Sequence, residues 1–169
     1  MGFCRPQVTD RRPACDDGRV LLRIEGYDLP GRHWPGPDFP GAGNVHVAVQ
    51  RKDQPDELLA VQPGDADAVS WELECEPFTD ADGVLTLRGS CIQNRLGGRF
   101  VYLSWGEVGT DGRFTMFRRA KLLLSGVEPA VMAAAVETGT LLARVRMTDA
   151  KGNPVCSRTD LVWSAPLAD

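Results

Sequence analysis

Histidine and lysine are scarce in this chain. His33 and His46 are its only imidazoles, and Lys52, Lys121 and Lys151 its only lysines. The five cysteines, at 4, 15, 75, 91 and 156, are odd in number and nowhere form a Cys-x-x-Cys spacing. That pattern argues against a disulfide framework and against a structural zinc site, and it suits a reducing compartment, the cytoplasm. No Gly-x-x-x-x-Gly-Lys loop, Gly-x-Gly-x-x-Gly turn, Gly-x-Ser-x-Gly elbow or His-Glu-x-x-His helix is present. The expectation is a protein with no cofactor and no metal. No apolar run approaches the roughly 20 residues that span a bilayer, so no membrane partner is expected. The start of the chain lacks the apolar core of a secretion signal. Residues 1–18 are read as a flexible tail. A net charge of −4 and a pI near 5.2 leave little positive charge to displace counterions from phosphates, and no nucleic-acid partner is expected.

What is present is enough for one buried core. The chain has 169 residues, 43% of them apolar, and residues 19–169 read as a single domain. "VLLRIEGY", "NVHVAVQRK", "ELLAVQPGDA" and "VSWELECEP" carry the period-two alternation of strands. In the last, Val69, Trp71, Leu73 and Cys75 oppose Ser70, Glu72, Glu74 and Glu76, which predicts one core face and one charged face. "GVLTLRGS" is a shorter strand. After a Gly97-Gly98 turn, "RFVYLSWG" is apolar on both faces, as a central strand is. "RFTMFRRAKLLL", "TLLARVRMT" and "VCSRTDLVW" complete eight or nine strands. One helix is expected over about residues 126–138, with Ser125 and Glu128 as a capping box and Gly139 as the stop. The fold class is therefore mostly β, a single-domain antiparallel β-sandwich or barrel with one α-helix.

Three features could carry chemistry. The first is "GYDLPGRHWPGPDFPG", residues 26–41, whose four prolines make it a loop although it holds His33, Trp34 and Phe39. Ordering so long a loop costs more than two buried rings return, which suits a lid that docks over a ligand. A permanent cap over a sheet edge is the alternative. The second is His46, which opposes the valines of its strand and suits a general base, with Glu72 or Glu74 to orient it. Simple exposure to solvent is the alternative. The third is "FRRAK", where Arg118 and Arg119 could stabilise a developing oxyanion. Cross-strand pairing of these cations with the Glu72–Glu74–Glu76 face is the favoured alternative.

The ordered segments "RGSCIQNRLGGRFVYLSWG", "FRRAKLLLSGV" and "TDAKGNPVC" resemble a bacterial family catalogued only as a domain of unknown function. Its pattern runs Gly-Pro-x-x-Gln-Gly, Arg-Phe-x-Tyr, Arg-Arg-Ala-Lys and Gly-x-Pro-x-Cys. Gly89, Gln93, Arg99, Phe100, Tyr102, Arg118, Arg119, Ala120, Lys121, Gly152, Pro154 and Cys156 match, while Ser90 and Asn94 depart from it. The resemblance covers about residues 84–157. It implies a stand-alone cytoplasmic domain and brings no activity with it.

The function expected from these residues is a cofactor-independent enzyme that cyclises, dehydrates or isomerises a small, largely apolar, polyketide-like metabolite of bacterial biosynthesis. His46, Glu72 and Arg118 would be catalytic. His33, Trp34, Phe39, Tyr102, Trp105 and Arg119 would bind the substrate. The alternatives are a small-molecule-binding module without catalysis and an oligomeric interaction protein whose partner is another copy of the chain.

Overall fold

Alternating side chains pair into two sheets whose apolar faces meet. The computed structural model describes residues 18–28, 45–52, 54–63, 68–95, 98–147 and 161–166, the side chains of 45, 54–63, 117 and 118 excepted. Nearly all of the expected tail, and the loop from Leu29 onward with His33, Trp34 and Phe39, lie outside these residues. In chain order the elements are β1 (Val20–Tyr27), β2 (Val45–Arg51), β3 (Gln54–Pro63), β4 (Ala68–Thr79) and β5 (Leu85–Arg88). They continue with β6 (Gln93–Arg95), β7 (Gly98–Val108), β8 (Phe114–Leu123), α1 (Pro129–Thr138), β9 (Thr140–Arg146) and β10 (Leu161–Ser164).

The first sheet runs β10-β9-β1-β4-β5. Its pairs are antiparallel except that β1 and β9 are parallel. The inward residues Val20, Leu22, Ile24, Trp71, Leu141, Ala143 and Val145 are buried. The outward ones form ion pairs across the strands: Arg19–Glu74 at 2.9 Å, Arg23–Glu72 at 3.0 Å, Arg88–Glu76 at 3.0 Å and Glu25–Arg144 at 3.7 Å. Here the structure corrects the pairing expected for "FRRAK". The acidic face of β4 lies opposite arginines of β1 and β5, whereas β8 belongs to the other sheet and pairs with β7.

β7 organises that second sheet. β8 bonds to one edge along Phe100–Val108. On the other edge, β6 takes Gly98–Phe100 and β2 takes Val45–Val49 opposite Leu103–Glu107, so the two strands lie end to end. Val101, Leu103 and Trp105 join Val47, Val49 and Leu122 in the core between the sheets. The opposite face of β7 is closed too: Phe100 and Ser104 are buried, and the Ser104 hydroxyl donates to Gln50 Oε1 of β2 at 2.8 Å. The strand apolar on both faces is thus central.

The expected capping box does not form. Val127 N–H bonds to the Leu124 carbonyl at 3.0 Å, which ties Ser125 into a 3-10 turn, Leu124–Gly126. The helix begins later, at Pro129, where a missing N–H costs nothing, and its N-cap Glu128 makes no side-chain capping bond. Gly139 closes it with φ of 92°, a left-handed conformation that glycine adopts without strain. No helix among the described residues is long and apolar enough to cross a membrane.

Gly106 lies beside a bulge where β8 carries one extra residue, Phe117, between the partners of Trp105 and Gly106. A Cβ here would collide with the Thr115 carbonyl oxygen and stand 2.8 Å from Phe114 Cζ. Backbone cannot move aside as a flexible side chain can. Gly106→Val should therefore destabilise the domain by about 2 kcal/mol, lowering the thermal midpoint by roughly 4–8 °C, as read by circular dichroism. An unchanged midpoint would mean that β7 and β8 do not approach this closely.

Candidate functional site

Two recesses lined by described residues lie at the margins of the sheets, where one element hands over to the next. The smaller, of 520 Å³, is lined by Arg19, Lys52, Glu74, Cys75, Glu76, Arg88, Gly89 and Ser90. It sits where the chain crosses between sheets. Lys52 N–H bonds to the Ser90 carbonyl at 2.6 Å, and the Gln93 amide donates to the Arg51 carbonyl at 3.1 Å. Gly89 permits the crossing, because a Cβ there would already stand 3.2 Å from the Glu74 carbonyl oxygen. Four of the charges around it are spent on each other in the Arg19–Glu74 and Arg88–Glu76 pairs.

Behind that recess lie two free, buried thiols, Cys75 on β4 and Cys91 after β5. A hydrogen bond with Cys91, then burial, then neighbouring negative charge push the Cys75 thiol far above its ordinary range. It is a core group, as its place in the alternation suggests, and not a nucleophile at neutral pH.

The larger recess is a cleft of 820 Å³ between the first turn of α1, the β4–β5 hairpin and the start of β7. Its apolar wall is made by Val84, Leu85, Leu124, Val127, Pro129 and Met132. Asp80, Thr86, Asn94, Arg99 and Ser125 supply the polar groups. Asp80 Oδ1 is committed to the hairpin, accepting the amides of Asp82 at 2.8 Å and Val84 at 2.9 Å. The Arg99 guanidinium lies 4.3 Å from the centre of the Phe78 ring, and no carboxylate partners it among the described residues. Ser90 and Asn94, which depart from the resembled pattern, line the smaller and the larger recess respectively.

Of the residues singled out in the sequence, His46, Glu72, Tyr102, Trp105 and Arg119 line neither recess. His46 is half-buried on β2 and faces the same side as Ala48 and Gln50, away from the core. Tyr102 and Arg119 share that outer face, with the guanidinium 4.2 Å from the centre of the phenol ring. Lys121 lies 4.5 Å from the centre of the Phe100 ring, and Phe100 meets Tyr102 edge to face at 4.8 Å. Glu72 is on the outer face of the other sheet, bonded to Arg23, so the sandwich separates it from His46. Trp105 is buried in the core and lines neither recess. Arg118 is the register partner of Trp105, and its side chain is outside the described set. Among the described residues, no three His, Cys, Asp or Glu side chains gather as metal ligands would.

Sequence reasoning missed Thr86, Arg99 and the first turn of α1. Arg99 was legible only as a matching position in the resembled pattern. Thr86 carries no local signal, since a threonine in a short strand is unremarked until something packs over it.

The state of Cys75 yields a chemical test. Iodoacetamide at pH 8, followed by peptide mass mapping, should leave Cys75 unlabelled in the native protein and label it after denaturation, at least about a hundredfold faster. The folded thiol holds its proton above the unfolded value. Stability from this group is therefore complete below about pH 8.5 and falls as pH rises beyond it, because the unfolded chain then binds fewer protons. Prompt labelling of the native protein would contradict this.

The family comparison likewise finds a family of unknown function, over more of the chain than the resembled segments at about residues 84–157. The model of DUF5990, a family of unknown function, matches residues 20–166, from the first strand to just beyond the last. No curated protein and no solved structure matches the chain. The match spans both sheets and the helix that flanks the larger cleft, and the chain belongs to this family, DUF5990.

Proposed function

We propose that the domain is a small-molecule-binding module whose site is the cleft between α1, the β4–β5 hairpin and the start of β7. The observation that carries this reading is the cleft itself, 820 Å³ with an apolar wall and a few convergent polar groups. Sites for small organic ligands are typically about 300–1,000 Å³ and are built in this way. Met132 and Leu124 anchor the wall from the core side, so the apolar surface is backed by packed structure and does not depend on closure of a loop. An acid/base enzyme would need a carboxylate other than Glu72 beside His46, and binding is therefore preferred over catalysis.

The neutral fluorophore N-phenyl-1-naphthylamine tests the site. Its emission should rise on addition of the protein and saturate. Ala133→Trp should remove that rise, because Ala133 is exposed on the helix and lines the cleft, so a large ring there fills it without disturbing the core. The thermal midpoint should stay within about 2 °C of the parent, as for a surface substitution. Equal probe binding by parent and variant would exclude this cleft as the site.

A further inference from the structure

We infer that the cleft selects an amphipathic carboxylate, with Thr86 and Arg99 receiving the carboxylate and the apolar wall receiving the tail. This rests on the cleft being a binding site and adds the chemistry of what it takes. Thr86 is only 7% exposed, lines the cleft, and has no side-chain partner for its hydroxyl among the described residues. A hydroxyl so placed can give one hydrogen bond to a guest without giving up a partner in the protein. Arg99 supplies the matching charge: its guanidinium rests on Phe78 and meets no carboxylate among the described residues. Arg88, near the same ring at 5.1 Å, is by contrast neutralised by Glu76.

The helix adds a third contribution. Its first turn forms part of the apolar wall through Pro129 and Met132. One guanidinium with no carboxylate partner among the described residues and one hydroxyl donor suit a single negative charge. A planar carboxylate fits the guanidinium fork, whereas a phosphate dianion would carry a second charge towards Asp80 on the rim.

The test is displacement of N-phenyl-1-naphthylamine by octanoate, 1-octanol and octyl phosphate at pH 7. Octanoate should compete about tenfold better than 1-octanol, as expected for a charge-assisted hydrogen bond. Arg99→Gln should abolish that preference. Thr86→Val, of nearly equal volume, should weaken octanoate about threefold or more relative to 1-octanol. A merely structural threonine would not separate those readouts. If Arg99→Gln fails to fold, Thr86→Val decides alone. Octanoate no better than 1-octanol, or octyl phosphate better than both, overturns the carboxylate assignment while the cleft still binds. Failure of the parent protein to bind the probe at all overturns the binding reading and this inference with it.

Discussion

Burial of β7 on both faces is the constraint from which the rest of this fold follows. A strand carrying Val101, Leu103 and Trp105 on one side and Phe100 and Ser104 on the other cannot lie at an edge or face water. It therefore takes β8 along one edge and β2 and β6 in succession along the other. Two short strands sharing an edge leave a junction, which must be closed by the chain arriving from β5. The backbone bond from Lys52 to Ser90 and the side-chain bond from Gln93 to Arg51 make that closure. Gly89 is small enough to let the crossing lie against β4, which sets Cys75 and Cys91 side by side in the core.

Charge is distributed by the same geometry. The outer face of β4 is acidic, and its glutamates find arginines on β1 and β5 because those are its bonded neighbours. Such exposed pairs are each worth roughly 0–1 kcal/mol. Their larger effect is to keep one face of the first sheet polar. Arg119 and Lys121 of β8 instead lie over the rings of Tyr102 and Phe100, on the second sheet. Arginine and lysine have long apolar stems, and rings beside them provide both a surface to cover and a face that attracts the charge.

The cleft arises from how α1 is held. Gly139 ends the helix, and its carbonyl bonds to the Leu21 amide of β1 at 2.8 Å, which fixes the C-terminal end to the first sheet. Met132 and Ala135 are the buried residues of the helix, and Val131 and Val136 pack against the core beside them. The N-terminal turn then stands off from the β4–β5 hairpin, and the space between them is bounded by Thr86 on one side and Pro129 on the other. Asp80 steadies the hairpin by accepting two of its amides, so the recess has a firm wall where the chain turns back. The polar groups it gathers come from the β4–β5 hairpin, β5, β6, β7 and the turn before α1.

The sequence by itself determined most of the strands, the core faces of β2 and β4, the central place of "RFVYLSWG", the glycine that ends the helix and the burial of Cys75, but not β6. These depend on alternation and turn chemistry, which act over a few neighbouring residues. Only the tertiary structure decided which strands are neighbours. It put arginines of β1 and β5 against the glutamates of β4, placed Glu72 and His46 on opposite outer faces, and joined β1 to β9 in parallel. It also brought Thr86 and Arg99 to the first turn of α1 around one cavity. Residues that meet there are separated along the chain by several elements, and their meeting depends on how sheets and helix pack, which no local pattern records.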